Sequence, residues 1–396
     1  MTAIESIHAA HGATFGERGG RRIVEEYGRP ERAHRAVRNG VGWIERARGV
    51  VVVEGDDRVE YVDNVVSNRV PTSDGAGAYA LVLDPQGRIE TEMVVYNAGE
   101  RLLCLLPPAR AEPLASEWAE KIFIQDVTVR DASDEFAVFG VHGPLATEKV
   151  ASVLSGPATP ETPHSFVRGG IGEVGVTVAR TDAPTGEEGY AVICRVEAAE
   201  TVADALGTGG MATTPFGYRT LESLTLEAGT PLFETELEGR IPNLLGLRSA
   251  LDFEKGCYVG QEVVSRIENR GRPSTRLVGL ALPDADGQQV DPEATHGEPD
   301  ASHGEPDARS SDTETDSPTS PAAGAAVFDG DASVGEVTRA AWSPLLGQPI
   351  ALALVDYDIE ATALTVRVEG EEVPVVRREL PFVDGSERSG RLPAYP

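Results

Sequence analysis

The fold is decided by "SVGEVTRAAWSPLLGQPIALALVDY", residues 333–357, which contains two strand-like runs separated by a turn with Pro and Gly. Both runs are rich in β-branched and aliphatic residues, which favour a pleated, half-buried surface. Four similar runs lie on either side: "TRLVGLAL" 275–282, "AAVFDG" 325–330, "TALTVRVEG" 362–370 and "EVPVVRR" 372–378. Six short strands bounded by turns predict a small antiparallel β-barrel in this part of the chain.

An acidic stretch at residues 284–321 interrupts this series of strands. It holds eleven acidic residues, a single base (Arg309) and one large aliphatic residue (Val290), and it repeats "HGEPDA". Such a composition cannot bury enough apolar surface to offset the entropy of ordering the backbone. We therefore predict a disordered insert inside the barrel, and we interpret its histidines as part of a solvated spacer. No metal site is predicted in the chain.

The chain before the barrel mixes helical and strand patterns. "YALVLDPQGRIETEMVVYNAGERLLCLLPP", residues 79–108, predicts a strand meander with turns at Pro-Gln-Gly and Asn-Ala-Gly, and amphipathic helices flank it. The pattern lacks strict strand–helix alternation, which favours an α+β fold over a doubly wound one. We divide the chain into an α+β region of two lobes at residues 1–264 and a barrel domain at residues 265–396.

The charge of the chain restricts its partners and its location. Sixty-four acidic residues against 35 Lys and Arg give a net charge of −29. Such a surface repels phosphate backbones, so direct nucleic-acid binding and anionic membranes are not expected. The acidic excess with few lysines is a composition typical of adaptation to high salt. Three cysteines without a C-x-x-C pair, no apolar signal core and no run of transmembrane length predict a cytoplasmic protein.

The stretch "KGCYVGQE", residues 255–262, places a rare lysine beside a rare cysteine, since the chain has three of each. Lysine can lower the pKa of a neighbouring thiol and favour the thiolate. We therefore predict that Cys257 is the reactive group and that Lys255 tunes it; the alternative is a buried packing cysteine with a solvated lysine. Four following arginines either balance charge or bind an anionic ligand tail: Arg266, Arg270, Arg272 and Arg276.

Several segments in the same order resemble one superfamily. They are "YGRPERAHRAVRNGVGWIE" 27–45, "VVSNRV" 65–70, "TGEEGY" 185–190, "LESLTLEAGTPL" 221–232 and "VGEVTRAAWSPLLGQPIALALV" 334–355. Together they resemble the glycine-cleavage T-proteins (tetrahydrofolate aminomethyltransferases), the folate domains of dimethylglycine dehydrogenases and the folate-binding YgfZ proteins. The resemblance implies a three-lobed T-protein-like α+β fold with a C-terminal antiparallel barrel. It also implies tetrahydrofolate, or a one-carbon derivative of it, as the bound cofactor.

Within the superfamily, "KGCYVGQE" resembles the signature of the YgfZ branch. That branch implies a folate-binding protein that supports assembly or repair of iron–sulfur clusters in client enzymes, and thereby tRNA modification. Its partners would be iron–sulfur client or assembly proteins. The folate-cavity residues carried over on this resemblance are Asn68, Glu92, Tyr190 and Arg219.

The T-protein pattern is altered at three positions. Thr91 and Glu92 stand in the segment of its catalytic aspartate, Ala191 replaces its pterin-holding glutamate, and Leu221 replaces an arginine. The alternative function is nevertheless a glycine-cleavage T-protein, a tetrahydrofolate-dependent aminomethyltransferase with a lipoyl carrier protein as partner. A second alternative is a non-catalytic scaffold that binds client proteins. If the protein is an enzyme, it would be a folate-dependent aminomethyl transferase.

Overall fold

The computed structural model describes residues 2–283 and 320–396 of the chain. These two ranges contain eight α-helices: α1 (Glu5–Ala10), α2 (Pro30–Asn39), α3 (Arg58–Val65), α4 (Ala111–Glu120), α5 (Ala146–Val153), α6 (Ala199–Thr208), α7 (Tyr218–Glu227) and α8 (Gln261–Arg270). Single turns of 3-10 or π helix lie at Pro108–Arg110, Val196–Ala198, Phe233–Leu237, Pro242–Leu245 and Arg248–Ala250.

Strands make up most of the remaining regular structure. In the two lobes they are β1 (Thr14–Arg18), β2 (Arg21–Glu26), β3 (Gly42–Glu45), β4 (Gly49–Glu54), β5 (Ala76–Leu83), β6 (Ile89–Asn97), β7 (Arg101–Leu106), β8 (Thr128–Asp131), β9 (Phe136–His142), β10 (Leu154–Ser155), β11 (Phe166–Ile171), β12 (Val174–Arg180), β13 (Gly189–Arg195) and β14 (Thr214–Pro215). In the barrel they are β15 (Thr275–Ala281), β16 (Ala326–Asp329), β17 (Ala332–Ser343), β18 (Gln348–Asp356), β19 (Ala363–Val368) and β20 (Glu371–Arg378).

Two sheets form two lobes that pack face to face. The first lobe is the five-stranded sheet β5-β6-β7-β4-β8, and the second is the seven-stranded sheet β10-β11-β12-β13-β9-β3-β14. Helices α3 and α4 cover one face of the first sheet, and α5 and α6 cover one face of the second. The two remaining faces bury each other through apolar side chains such as Val50, Val52, Phe166 and Ile193. A strand such as β4 is therefore apolar on both sides, because its alternating side chains enter two different cores.

The C-terminal strands close into a six-stranded barrel with the order β15-β18-β17-β16-β19-β20. Its pairings are antiparallel, and alternating residues such as Val278, Leu280, Val337 and Val355 fill the interior. Closure leaves the barrel without free strand edges. The prediction of an α+β protein with a C-terminal antiparallel barrel is confirmed.

Glu227, the last residue of α7, connects the helices of the lobes to the barrel. Its buried carboxylate accepts hydrogen bonds from His34 Nε2 at 2.8 Å and Arg38 Nη2 at 3.0 Å, both on α2, and from Ser343 Oγ at 2.5 Å, at the end of β17. Burial alone would raise the pKa of Glu227, but the hydrogen bonds and charges of His34 and Arg38 lower it. The carboxylate therefore stays ionised while buried.

Residues 379–396, called the C-terminal strap below, leave the barrel and run back over the lobes. The backbone N–H groups of Phe382, Gly390 and Ala394 donate to carbonyl groups of Glu227, Asp182 and Gly246 at 2.8, 2.7 and 2.9 Å. Beyond residue 383 the strap is irregular, and its only buried residues are Ser389 and Arg391. Hydrogen bonds along its length and the packing of Leu380 and Phe382 against the core hold it in place.

The predicted division of the chain stays a prediction. The boundary after residue 264 falls inside α8, and the barrel strands begin at residue 275. The predicted disordered insert at residues 284–321 lies almost wholly outside the described residues. Among the helices of the two described ranges, none combines the length and the apolar character needed to cross a membrane.

Candidate functional site

The candidate site lies where the two lobes meet, beside strands β5 and β6. Side chains alternate along β6, so Met93 and Val95 enter the core beneath α3 and α4. Glu92 and Tyr96 consequently point to the opposite face, toward the second lobe. Strand β6 thus places the carboxylate of Glu92 on the face of the first sheet that packs against the second lobe.

Four side chains form a hydrogen-bonded cluster here, called the junction quartet: Tyr79, Glu92, Asp182 and Arg391. Tyr79 donates from its hydroxyl to Glu92 Oε2 at 2.7 Å, and Arg391 Nη1 donates to the same oxygen at 2.8 Å. Arg391 Nε donates to Asp182 Oδ2 at 2.6 Å. The guanidinium carbon of Arg391 lies 4.2 Å from the centre of the Tyr79 ring. One planar cation is therefore held by two carboxylates and an aromatic face.

All four residues of the quartet are buried. Burial alone would raise the pKa of Asp182, but the charge of Arg391 acts together with His164 and with the hydrogen bond from Arg391 to lower the pKa to about 2. Burial alone would lower the pKa of Arg391, yet Asp182, Tyr79 and Glu92 raise it well above its ordinary value. Burial and the nearby Glu92 carboxylate raise the pKa of Tyr79. The pairing thus keeps the carboxylate of Asp182 and the guanidinium of Arg391 charged.

Polar groups without partners surround the quartet. Neither ring nitrogen of His142, nor Nδ1 of His164, nor Nε of Arg46 has a hydrogen-bond partner among the described residues. Burial lowers the pKa of His142 to about 3, and it also lowers that of His164, whose ring stacks on Tyr79. Burial, followed by the charge of Arg48, lowers the pKa of Arg46 to about 10. Since buried polar atoms normally find partners, this concentration of unsatisfied groups is typical of a site that holds a ligand or water.

A cavity of about 430 Å³ is lined by residues of β2, β3 and β9, and none of the four quartet residues lines it. Its lining includes four arginines and two acidic residues: Arg21, Arg22, Arg46, Arg48, Glu45 and Asp134. Arg48 connects the cavity to the quartet, because its Nη1 lies 3.5 Å from Glu92 Oε1. The volume lies within the roughly 300–1,000 Å³ usual for small-molecule sites. A cavity with four arginines in its wall, linked through Arg48 to the buried carboxylate of Glu92, can bind a molecule with anionic groups.

The structure brings together two of the four folate-cavity residues carried over from the sequence. Glu92 belongs to the quartet, and Asn68 borders it, donating from Nδ2 to the Tyr79 carbonyl at 2.9 Å. Tyr190 points into the core of the second lobe, where its hydroxyl contacts Thr147 at 2.9 Å. Arg219 is exposed on α7, with 59% of its side chain accessible, and pairs with Glu26. Binding roles for all four stay predictions.

Cys257 and Lys255 lie in the loop before α8 but face different surroundings. Cys257 is exposed, whereas the Lys255 side chain is 1% exposed. Its Nζ donates to the carbonyl groups of Asp63, Val66 and Asn68 at 2.6, 2.9 and 2.9 Å. The Asp63 carboxylate lies 3.3 Å away. Lys255 therefore anchors the end of α3, and the predicted roles of these two residues in catalysis remain untested.

Sequence reasoning missed Tyr79, Asp182 and Arg391. Asp182 follows a strand and precedes the "TGEEGY" loop, so an acidic residue at the end of a lobe strand was an available signal. Arg391 offered no such signal, because 299 positions separate it from Glu92 in an irregular segment.

Two mixed α+β lobes and a barrel, with a buried charged cluster where the lobes meet, define the architecture of a multi-lobed protein whose candidate site lies between its lobes. The chain belongs to the glycine-cleavage T-protein family: the family model described as "GCVT N-terminal domain" matches residues 4–255. The model described as "Glycine cleavage T-protein C-terminal barrel domain" matches residues 312–384.

Individual relatives match the chain over nearly its whole length. An aminomethyltransferase of Saccharopolyspora erythraea is 30% identical over 393 residues, covering 96% of this chain and 97% of the relative. One of Cutibacterium acnes is 29% identical over 398 residues, with coverages of 96% and 97%. The crystal structure of the glycine cleavage system aminomethyltransferase T from Bartonella henselae matches with a TM-score of 0.79 over 98% of each chain at 20% identity. The predicted three-lobed T-protein-like fold is confirmed.

These relatives correct the main functional expectation from the sequence. A YgfZ-like role in assembling or repairing iron–sulfur clusters is wrong, since the curated relatives that match end to end are named aminomethyltransferases. The expectation depended on the octapeptide at residues 255–262, a local match whose buried lysine performs a structural task. Similarity over 393 residues outweighs it. Iron–sulfur client proteins have no support as partners.

Proposed function

We propose that this protein is a tetrahydrofolate-dependent aminomethyltransferase that takes its one-carbon unit from a lipoyl carrier protein. The observation that carries the proposal is the 30% identity to a named aminomethyltransferase over 96% of this chain. The family relationship supports the activity and the reduced folate, and the junction described above is the place in this chain where the folate would bind.

The residues at the junction fit a reduced folate. The amino-pyrimidinone edge of a pterin presents N–H donors, which pair with carboxylates such as Glu92 and Asp182. The aromatic face of Tyr79 can stack against a flat ring. The glutamate tail carries carboxylates, for which the arginine-lined cavity offers bidentate partners. The Nε of buried Arg46 has no hydrogen-bond partner among the described residues and is free to donate to such a carboxylate.

The altered T-protein positions leave two carboxylates at the junction. Ala191 contributes no carboxylate, but Asp182 supplies one to the same junction. Glu92 provides the second, one methylene longer than aspartate. Leu221 is buried in the core beside α7 and contributes no cation, so the arginines of the cavity are the groups left to pair with an anionic tail.

When bound, the folate supplies the two amines that take up the one-carbon unit. The transfer balances if the methylene leaves the lipoyl sulfur, ammonia departs, and the two N–H protons of the folate pass to the sulfur and the nitrogen. The protein's task is to orient the amines and to hold or move those protons. His164 is suited to the second task, because its buried ring has an unpartnered Nδ1 and a lowered pKa that keeps it neutral. Glu92 orients the ring from the quartet.

The test is a coupled assay with purified full-length protein. Aminomethyl-loaded lipoyl carrier, made with glycine decarboxylase, is mixed with tetrahydrofolate, and methylenetetrahydrofolate is measured. We expect turnover by the wild type, and a loss of at least about 100-fold in Glu92→Gln, since misplaced or missing catalytic groups cost rates of that order. Glu117→Gln, a change of an exposed glutamate on α4, is the matched control. Absence of turnover in the wild type would reject the proposal.

A further inference from the structure

Arg391 is held in the junction quartet as a bound ligand would be held. Its guanidinium is planar, lies 4.2 Å over the Tyr79 ring, and donates to carboxylates on two separate lobes at 2.6 and 2.8 Å. It arrives from the C-terminal strap, not from the sheets that form the junction. An irregular segment thus fills the most polar position of a site built by the two lobes.

The chemistry of this position is the chemistry of a pterin edge. In a pterin, the N–C(NH₂)–N unit of the pyrimidinone ring is a planar arrangement of one carbon and three nitrogens, as in a guanidinium. Both groups offer parallel N–H donors to a carboxylate and a flat face to an aromatic ring. Tyr79, Glu92 and Asp182 can therefore satisfy only one of them at a time.

We infer that the C-terminal strap is a built-in competitor, in which Arg391 occupies the recognition site of the folate's amino-pyrimidinone ring until the ligand displaces it. The inference rests on the proposed function, because it names a folate as the displacing ligand. In the closed state Arg391 neutralises the two carboxylates, which would otherwise face each other in a buried site. On binding, the N–H donors of the ligand take over their hydrogen bonds.

The strap is constructed so that it can open. Beyond residue 383, Ser389 and Arg391 are its fully buried residues, and Leu392, Pro393 and Tyr395 are half-buried, so opening exposes a limited apolar surface. Its anchors are hydrogen bonds and one ion pair: Ser386 N donates to Glu187 Oε2 at 2.8 Å and Arg180 pairs with Glu387. Gly390 N and Ala394 N donate to carbonyl groups, and the Tyr395 hydroxyl accepts from Leu277 N at 2.6 Å. Segments with few apolar contacts open locally far more often than a protein unfolds.

Opening of the strap limits the apparent affinity for folate. A site available only in a minor state binds with a dissociation constant raised by the inverse of that state's population. Tyr395→Phe acts at a strap position outside the quartet and removes the hydrogen bonds of the Tyr395 hydroxyl, including its donation to the Leu244 carbonyl at 3.2 Å. It should raise the open population and lower the Kd about fivefold, the effect expected from losing a net hydrogen bond or two. Arg391→Met should lower the Kd further by removing the competing group.

Two measurements on the full-length protein test the inference, with 5-formyltetrahydrofolate as the probe. The first is the Kd by calorimetry for the wild type, Tyr395→Phe, Arg391→Met and the control Arg388→Gln, whose side chain is exposed and pairs only with Asp384 among the described residues. The second is hydrogen exchange of the amides in residues 386–396 with and without the probe. We expect tighter binding in the first two variants, an unchanged Kd in the control, and at least about fivefold faster exchange of the strap when the probe is bound.

The possible outcomes distinguish failure of the competitor hypothesis from failure of the proposed function. If the wild type binds the probe while Tyr395→Phe binds equally or more weakly, or if the probe slows exchange in the strap, the competitor is refuted and the folate site stands. If the wild type and both strap variants fail to bind the probe, the inference falls together with the proposed function. Tyr395→Phe keeps the test decisive even if Arg391→Met does not fold.

Discussion

Replacing Lys255 by methionine distinguishes an anchoring lysine from one that tunes a thiol. Methionine keeps most of the apolar length of the side chain and removes the ammonium. Three carbonyl groups at the end of α3, now bonded at 2.6–2.9 Å, would lose their donor, and the Asp63 carboxylate would lose its partner at 3.3 Å. Because the Lys255 side chain is 1% exposed, water cannot easily replace it.

The structure sets the size of the expected loss. Removing one partner from a buried, hydrogen-bonded charge costs about 3–5 kcal/mol. Burial lowers the pKa of Lys255, which shows that desolvation of the ammonium opposes part of its stabilisation, so the lower half of that range applies. A loss of about 3 kcal/mol corresponds to a fall in Tm of roughly 4 °C for a chain of 396 residues that unfolds as one unit.

Denaturant and thermal unfolding of the full-length variants provide the measurement. Lys121→Met is the matched control, since Lys121 is 60% exposed and pairs with Glu117 on the same helix, and it should change stability by less than about 0.5 kcal/mol. The pH dependence of Cys257 alkylation is measured in parallel and should be the same in Lys255→Met. Unchanged stability together with a raised Cys257 pKa would show that the anchoring explanation is mistaken. It would support the alternative, in which Lys255 lowers the pKa of the Cys257 thiol.

Three further predictions concern acid stability, thiol reactivity and the acidic insert. Burial lowers the pKa of His142 to about 3, so below about pH 6.5 the unfolded chain binds a proton that the folded chain does not. Between these two pH values the free energy of unfolding should fall by up to about 1.4 kcal/mol for each pH unit of acidification. His142→Asn should flatten this slope in acid titrations followed by circular dichroism. Iodoacetamide should label exposed Cys257 in the native protein and leave Cys104 and Cys194 unmodified, because burial raises the pKa of these two thiols to about 12. Labelling of Cys104 or Cys194, detected by mass spectrometry, would contradict this prediction. Deletion of residues 284–319 should leave the Tm within a few degrees, because loop-closure entropy changes slowly with length; loss of cooperative unfolding would argue against an insert.

The barrel could be predicted because its evidence is local. Each strand carries its own alternation and ends at its own turn, so the six runs did not depend on knowing their neighbours. Glu92 could be placed at the site because its position in the meander matched a recognised segment. The orientation of Tyr190 could not, since both faces of β13 are buried and only the position of α5 and α6 decides which core a side chain enters.

Arg391 lay beyond sequence reasoning for a different physical reason. Its partners belong to two lobes, and the segment that carries it has no periodic pattern. The octapeptide at residues 255–262 misled about the branch of the superfamily, because a local match was given more weight than similarity over the whole chain. In the structure, Lys255 donates a hydrogen bond to a carbonyl group at the end of α3, whereas Cys257 lies at the surface.

The buried carboxylate of Glu227 affects how cooperatively the protein unfolds. One buried group serves as the acceptor for a helix of the first hundred residues and for a barrel strand more than a hundred positions after it. If the barrel separated from the lobes, the Glu227 carboxylate would lose its hydrogen bond from Ser343 while it is still largely enclosed by His34 and Arg38, at a cost that full unfolding avoids. We therefore expect a single calorimetric transition for the chain, even though two family models divide it, and strongly non-additive stability losses in the double variant His34→Ala and Ser343→Ala.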